Sequence, residues 1–143
     1  MPMDNLEVVR RIQEAWNAND TATIDQLIAP DFKAHTPGAD ALPPGVEGAK
    51  AANQQSLQSW SDKNVEIQDI FGEGDRVVVR TRMTGKNTGG LPFLGIPAND
   101  AKVDFESISI YRLKDGRVVE TWAEIEVPKL MQQLGAMPGP EGT

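Results

Sequence analysis

The spacing of hydrophobic positions at the start of the chain predicts a helix. From residue 4 to 18, Leu6, Val9, Ile12 and Trp16 recur at intervals of three or four residues. This spacing places them on one face of a helix, with the polar residues on the other. We therefore expect an amphipathic first helix over residues 4–18.

A short second helix and a third helix follow, separated by a segment rich in proline and glycine. The second helix covers about residues 21–29 and ends at Pro30, and the third covers about residues 47–61 and closes with Trp60. Between them, residues 31–46 contain several turn-forming residues. Such a segment has room for only a brief extended piece.

After the third helix the hydrophobic period changes to two, which predicts strands. Four of them are expected, at residues 64–72, 76–85, 102–113 and 117–126. The dipeptide Asp115-Gly116 lies between the last two and is a strong hairpin signal. A last short helix should begin near Pro128 and stop at Gly135.

Helices followed by a run of hairpin-connected strands predict an α+β fold. We expect a strongly bent antiparallel sheet that wraps around the N-terminal helices as a cone-shaped barrel and encloses a pocket. Residues 1–135 should form a single domain, and residues 136–143 should be a frayed tail.

Composition and charge narrow the range of partners. The 143 residues carry a formal net charge of −7, which disfavours nucleic acids and anionic membranes as partners. No apolar run approaches the roughly 20 residues that span a bilayer, and the N-terminus lacks the order of a secretion signal. We therefore expect a cytoplasmic protein.

The inventory of reactive residues is small. The chain has no cysteine and a single histidine, His35, whereas typical zinc sites use several such ligands. Neither of the glycine-rich phosphate-binding motifs occurs. We expect no metal site and no cofactor.

The last predicted strand, RVVETWAEIE, carries an unusual set of side chains. One face holds a tryptophan and three carboxylates, namely Glu120, Trp122, Glu124 and Glu126. The other face holds Val119, Thr121, Ala123 and Ile125. Taken alone, this pattern favours a solvated acidic face.

Several short strings, in a fixed order over about residues 5–135, resemble a known family. They are DFKAHTPG, GVEGAK, GEGDRVVVRTRMTG, LGIPAND, YRLKDGRVVETW and LMQQLG. Their order is similar to that of the SnoaL-like polyketide cyclase (ester cyclase) branch of the nuclear transport factor 2-like superfamily. The resemblance implies a cone-shaped α+β barrel that forms dimers or tetramers. It also implies ring closure by aldol condensation, without metal or cofactor, using a pocket carboxylate as acid and base.

Carried onto this chain, the resemblance turns the face that holds Trp122 towards the pocket. The family's aspartate four residues after the tryptophan is Glu126 here, and the histidine of its GTH string is replaced by Asn87. The implied catalytic residues are Glu126, Glu124 and His35. The implied substrate-binding residues are Trp122, Asn87, Arg80, Trp16, Trp60 and Phe105.

The implied function is a cofactor-free cyclase, isomerase or lyase, in which Glu126 or Glu124 moves a proton on a small, mostly apolar carbonyl compound. One alternative is an epoxide hydrolase like the limonene-1,2-epoxide type, with Glu124 and Arg80 activating water. Another is a ligand-binding or oligomerising module without chemistry. A homodimer should form through the opposite, apolar face of the last strand, whose residues are Val119, Thr121, Ala123 and Ile125.

Overall fold

The computed structural model describes residues 4–36 and 38–137, and its elements place the chain in the α+β class. The helices in this part of the chain are α1 (Asn5–Ala18), α2 (Thr21–Leu27), α3 (Val46–Ser59) and α4 (Val127–Gln133). The strands are β1 (Ile28–His35), β2 (Trp60–Glu73), β3 (Arg76–Asn87), β4 (Lys102–Lys114) and β5 (Arg117–Ile125). Short 3₁₀ helices lie at Ala39–Ala41 and Pro92–Leu94. The predicted α+β fold class is confirmed.

The sheet has the strand order β1-β5-β4-β3-β2 and curls around the helices without closing. Strands β2 to β5 pair antiparallel, as predicted, while β1 pairs parallel with β5. Helix α3 contacts both edge strands, β1 and β2, and so lies across the opening between them. The expected antiparallel barrel is therefore a mixed, open sheet.

Strand β1 occupies part of the segment in which only a brief extended piece was expected. Helix α2 ends at Leu27, and Ile28 and Ala29 are buried residues of β1. Pro30 thus lies inside an edge strand, within an irregular stretch of the pairing between Ile28 and Lys33. Because the ladder is interrupted there, the missing N–H of proline costs little.

Strand β2 begins four residues earlier than predicted, at Trp60, which was expected to close α3. Ser61 pairs with Lys86, but the next pair on β2 is Asn64 with Thr84. Two residues, Asp62 and Lys63, therefore face one, which is a β-bulge. The bulge breaks the alternation that sequence reasoning relies on, and Asp62 takes a positive φ of 52°.

Two groups of buried hydrophobic residues hold the helices on the sheet. The larger packs α1 and α2, through residues such as Ile12 and Ile24, against Val77 and Val118 of the sheet. The smaller includes Phe105 and packs α4 and the loop after β3 against the other end of the sheet. Side chains of both groups line the space between them.

The predicted termini are described in part. At the start, Asp4 Oδ1 accepts a hydrogen bond from the backbone N–H of Glu7 at 2.8 Å, which caps α1. At the end, most of the expected frayed tail (residues 138–143) lies outside the described residues. Among the helices described, none is long and apolar enough to cross a membrane.

Candidate active site

A cavity of about 620 Å³ lies between the helices and the inner face of the sheet. Helices α1 and α3 cover one side of it, and strands β1 to β5 form the other. Its volume falls within the range of pockets that hold small organic ligands.

The last strand turns its small side chains, not its carboxylates, towards this cavity. Thr121, Ala123 and Ile125 line the wall, and so does Val118, three residues before Thr121. A bulge accounts for that spacing, because Val119 has no partner between the pairs Arg112–Glu120 and Leu113–Val118. The side chains that line the pocket are therefore those expected on the outside. Their small size leaves room for the cavity.

Trp122 lies on the outer face of the sheet, so its prediction as a pocket wall is wrong. Its ring stacks on His35, with centroids 5.3 Å apart and planes inclined by 14°. The guanidinium of Arg76 lies 5.2 Å from the centre of the Trp122 ring. These two contacts cover the large aromatic ring outside the pocket.

His35 belongs to the same outer cluster, since β1 pairs His35 with Trp122. Its Nε2 lies 2.7 Å from Glu120 Oε2, while Arg112 donates to Glu120 Oε1 at 2.9 Å. The hydrogen bond from His35 and then that from Arg112 lower the pKa of Glu120. The structure thus places His35 in an ion-pair cluster and outside the cavity.

Glu126 and Glu124 lie outside the cavity wall, so their predicted pocket position is wrong. Glu124 is exposed, and Glu126 directly follows β5. There, Glu126 Oε2 accepts a hydrogen bond from the backbone N–H of Glu106 at 2.8 Å. This bond extends the pairing of β4 with the end of β5.

Arg80 is also on the outer face, as an ion-paired residue. It donates to Asp69 Oδ2 at 2.7 Å and to Glu106 Oε1 at 2.8 Å. Hydrogen bonds to Glu106 and Asp69 raise the pKa of Arg80. Alternation along β3 sends Arg80 outwards while Thr81 lines the cavity.

Asn87 is fully buried but does not line the cavity. Its Nδ2 donates to Pro97 O and to Asn99 Oδ1, both at 3.0 Å, and its Oδ1 accepts from Gly90 N at 2.9 Å. All three partners belong to the loop that joins β3 to β4. Asn87 therefore holds a loop in place and is not positioned as the expected ligand donor.

Three predicted ligand-binding residues do lie in the cavity wall. Trp16 projects from α1, Trp60 from the start of β2 and Phe105 from β4. These aromatic side chains give the wall a broad apolar surface.

Hydroxyls make up most of the polar groups in the cavity wall, and several of them already have a hydrogen-bond partner. Thr81 Oγ1 and Ser107 Oγ lie 2.8 Å apart, and Tyr111 OH accepts from Gln13 Nε2 at 2.8 Å. Burial raises the pKa of Tyr111, against the opposing effect of polar contacts from Trp16 and Gln13. No Asp or Glu of the described residues lines the wall.

Lys63 is the one charged side chain in the wall among the residues described, and sequence reasoning missed it. Its Nζ donates to Ser56 Oγ at 2.9 Å, and burial lowers its pKa. The alternation of β2 could have indicated this position, because Lys63 precedes Val65 by two residues and lies on the same, inward face of the strand. A charge on the apolar face of a strand is a candidate for function.

Metal ligands do not converge anywhere in the part of the chain that the structure describes. No group of three or more His, Asp or Glu side chains there could hold an ion.

Comparisons with known proteins place the chain in a family. The model of the SnoaL-like polyketide cyclase family matches residues 6–134. The chain belongs to this family. The comparison with curated protein sequences gives no match.

Solved structures of other proteins share the fold. TsrD of Streptomyces laurentii is 28% identical, with a TM-score of 0.81 over 94% of this chain and 99% of its own. IdmH of Streptomyces antibioticus, provisionally described as a polyketide cyclase, is 29% identical, with a TM-score of 0.76 over 90% of this chain and 96% of its own. AclR of Streptomyces galilaeus, provisionally described as a hydroxylase, is 25% identical, with a TM-score of 0.77 over 94% of this chain and 83% of its own. These likenesses support a small-molecule, cyclase-type function.

Proposed function

We propose that this SnoaL-like protein is a cyclase-type enzyme that binds a compact, mostly apolar carbonyl compound in the cavity and works without a cofactor. The observation that carries the proposal is the cavity itself, about 620 Å³ in volume, with an aromatic wall and a few hydroxyls. A pocket of this kind binds by apolar contact, and its few polar groups fix the orientation of the ligand.

The binding residues in this proposal are the aromatic side chains of the wall and the small side chains of β5. Trp16, Trp60 and Phe105 would contact the apolar body of the ligand, and Thr121 and Ala123 leave the space that it fills. The hydroxyls of Thr81 and Ser107 are candidates for donating a hydrogen bond to the carbonyl oxygen of the ligand. Neither Glu124 nor Glu126 contacts the ligand in this proposal, because both lie outside the cavity wall.

Filling the cavity tests the proposal. Ala123→Phe adds an aromatic ring to the inner face of β5, whereas Glu124→Phe adds the same ring one residue away on the outside. A fluorescent naphthalene derivative serves as the probe. It should bind the wild type and the Glu124→Phe variant, and Ala123→Phe should weaken its binding by about tenfold or more. Equal binding by the two variants would show that ligands do not use the cavity.

The second candidate function is a ligand-binding module without chemistry. Its support is the composition of the wall, which among described residues contains no carboxylate for acid and base work. Tight binding of apolar carbonyl compounds, combined with recovery of every compound unchanged, would favour this candidate over the enzyme. The epoxide-hydrolase alternative loses its support, because Glu124 and Arg80 both lie outside the cavity.

We also propose that the protein forms a homodimer through the outer face of the sheet. The residues expected there, Thr121, Ala123 and Ile125, line the cavity instead. The outer face carries a different apolar row, formed by side chains that pair across the five strands. The row consists of Phe71, Val78, Ile110, Trp122 and His35.

This outer row is a suitable centre for a two-fold interface. Phe71 is 59% exposed and Ile108, beside the row, is 50% exposed, while ion pairs of Arg80 and Arg112 flank it. Phe71→Glu should shift the protein from dimer to monomer in light scattering. Leu94→Glu, which charges another exposed hydrophobic residue outside the sheet, is the control. A monomeric wild type at micromolar concentration would rule out the dimer.

A further inference from the structure

Lys63 reaches the cavity because of the bulge at the start of β2. Trp60 and Lys63 are three residues apart, yet both line the wall. In a regular strand, residues three apart point to opposite faces. The extra residue, Asp62, shifts the alternation by one position, so that Lys63 and Val65 point inwards while Asn64 and Glu66 lie on the outside. Bulges of this kind often re-aim a side chain beside an active site.

The surroundings of Lys63 favour the neutral amine. Its hydrogen bond goes to the uncharged hydroxyl of Ser56, and no described carboxylate pairs with it. Burial without such a partner lowers the pKa of Lys63. The same surroundings are typical of lysines that act as nucleophiles towards carbonyl compounds.

Lys50 shows the opposite arrangement and makes a matched comparison. It is also half-buried, but its Nζ lies 2.9 Å from Asp25 Oδ1 and 2.9 Å from Glu47 Oε1. Hydrogen bonds to Asp25 and then to Glu47 raise the pKa of Lys50. The surroundings of Lys50 therefore stabilise its ammonium form, whereas those of Lys63 disfavour it.

We propose that Lys63 is a catalytic amine that captures carbonyl ligands in the cavity as a Schiff base. This inference rests on the proposed function, because it assumes that the cavity admits a carbonyl compound.

The chemistry balances with the groups present. The lone pair of neutral Nζ forms a bond to the carbonyl carbon, and the π electrons of the C=O bond move to oxygen. The nitrogen loses both of its protons and the oxygen leaves with them as water, which yields the imine. The hydroxyl of Ser56, 2.9 Å from Nζ, is positioned to relay a proton. Uptake of one proton from solvent then gives the protonated imine, which draws electrons from the neighbouring C–H bond and so acidifies it, as a carbon–carbon ring closure requires.

Reductive trapping of the wild-type protein tests this directly. The protein is treated with 2-naphthaldehyde and sodium cyanoborohydride at pH 7.4, and peptide mass spectrometry measures the labelling rate of each lysine. An ordinary lysine with a pKa of about 10.4 is neutral in only about one molecule in 10³ at this pH. Lys63 should therefore be labelled at least about tenfold faster than Lys50. As the pH is raised, the labelling rate of Lys63 should also reach its plateau at a lower pH than the labelling rate of Lys50. Equal rates would overturn the proposal.

Two variants separate this proposal from the proposed function. Ala123→Phe should reduce labelling of Lys63 to the rate of Lys50, because it fills the cavity, and Glu124→Phe should not. Rapid labelling that persists in Ala123→Phe would mean that Lys63 reacts from the surface, and it would overturn the proposal. If naphthalene binding depends on the cavity while Lys63 stays unlabelled, the Schiff base fails and the ligand site stands.

Discussion

Replacing Asn87 with alanine tests whether one buried side chain holds the loop between β3 and β4. The substitution removes three hydrogen bonds, two donated to Pro97 O and Asn99 Oδ1 and one accepted from Gly90 N. Asn87 is fully buried and Gly90 is buried too, whereas Pro97 and Asn99 are exposed residues, so the substitution strips partners mainly from the buried end of this network.

The expected loss follows from the number of these bonds. A typical intramolecular hydrogen bond contributes about 1 kcal/mol net, and a buried group left unpaired costs about 1–3 kcal/mol. Three bonds therefore correspond to about 3 kcal/mol of unfolding free energy. For a domain of this size, about 3 kcal/mol lowers Tm by about 10 °C.

Urea unfolding followed by circular dichroism measures this difference. The urea concentration at the midpoint of unfolding should fall. The slope of the unfolding free energy against urea concentration should stay the same, since the surface exposed on unfolding barely changes. Asn64→Ala is the control, because Asn64 is exposed and donates only to the exposed Glu66. The control should lose less than about 0.5 kcal/mol. A loss in Asn87→Ala within about 0.5 kcal/mol of the control would refute the buried-anchor reasoning.

Asn87→Asp refines the test. The aspartate keeps the acceptor for Gly90 but places carboxylate oxygen against two other acceptors, Pro97 O and Asn99 Oδ1. At pH 7 this variant should be less stable than Asn87→Ala, because an unpaired buried charge costs more than a missing group. Its deficit should shrink as the pH falls, when the carboxyl takes up a proton and can donate again.

Three further outcomes are expected. Glu126→Gln should leave turnover unchanged and alter the unfolding free energy by less than about 0.5 kcal/mol, as kinetics and urea titration can show, since Glu126 lies outside the cavity. Because its pKa is lowered in the folded protein, Glu120 stabilises the fold at pH values above its ordinary pKa of 4.5. This stability is lost as the pH falls through the pKa of Glu120 in the folded protein. Tm of Glu120→Gln should accordingly lie below that of the wild type at pH 7 and converge with it in acid. Lys63→Met should raise Tm at pH 7, because burial disfavours the ammonium, and the gain should shrink as the pH rises through the lowered pKa of Lys63.

Local patterns predicted most of the sheet. The predicted and observed ends of β3, β4 and β5 differ by two residues or fewer, because alternation is regular there and Asp115-Gly116 marks the turn. Strand β1 was missed because its main partner, β5, is far away in sequence. The early part of β2 was missed because the bulge at Asp62 interrupts the period.

The site was harder to predict, since alternation divides a strand into two sets of side chains without saying which set points inwards. On β5 the aromatic residue and the carboxylates looked like the functional set, and the small residues looked like an outer surface. The structure reverses this, because Trp122 finds a stacking partner in His35 and the cavity needs the small side chains of Thr121 and Ala123. Trp16 and Phe105 were placed correctly, since their elements have a clear apolar face.

The parallel pairing of β1 with β5 has a consequence for the order of folding. His35 pairs with Trp122, so β1, which is synthesised before the other strands of this sheet, has no partner until β5 has been synthesised. Closing so long a loop slows folding, and chains dominated by such distant contacts fold in milliseconds to seconds. During synthesis α1, α2 and β1 therefore exist without the strand that they cover, and their apolar side chains stay exposed to other chains. The wall of the ligand cavity is therefore complete only once β5 lies between β1 and β4.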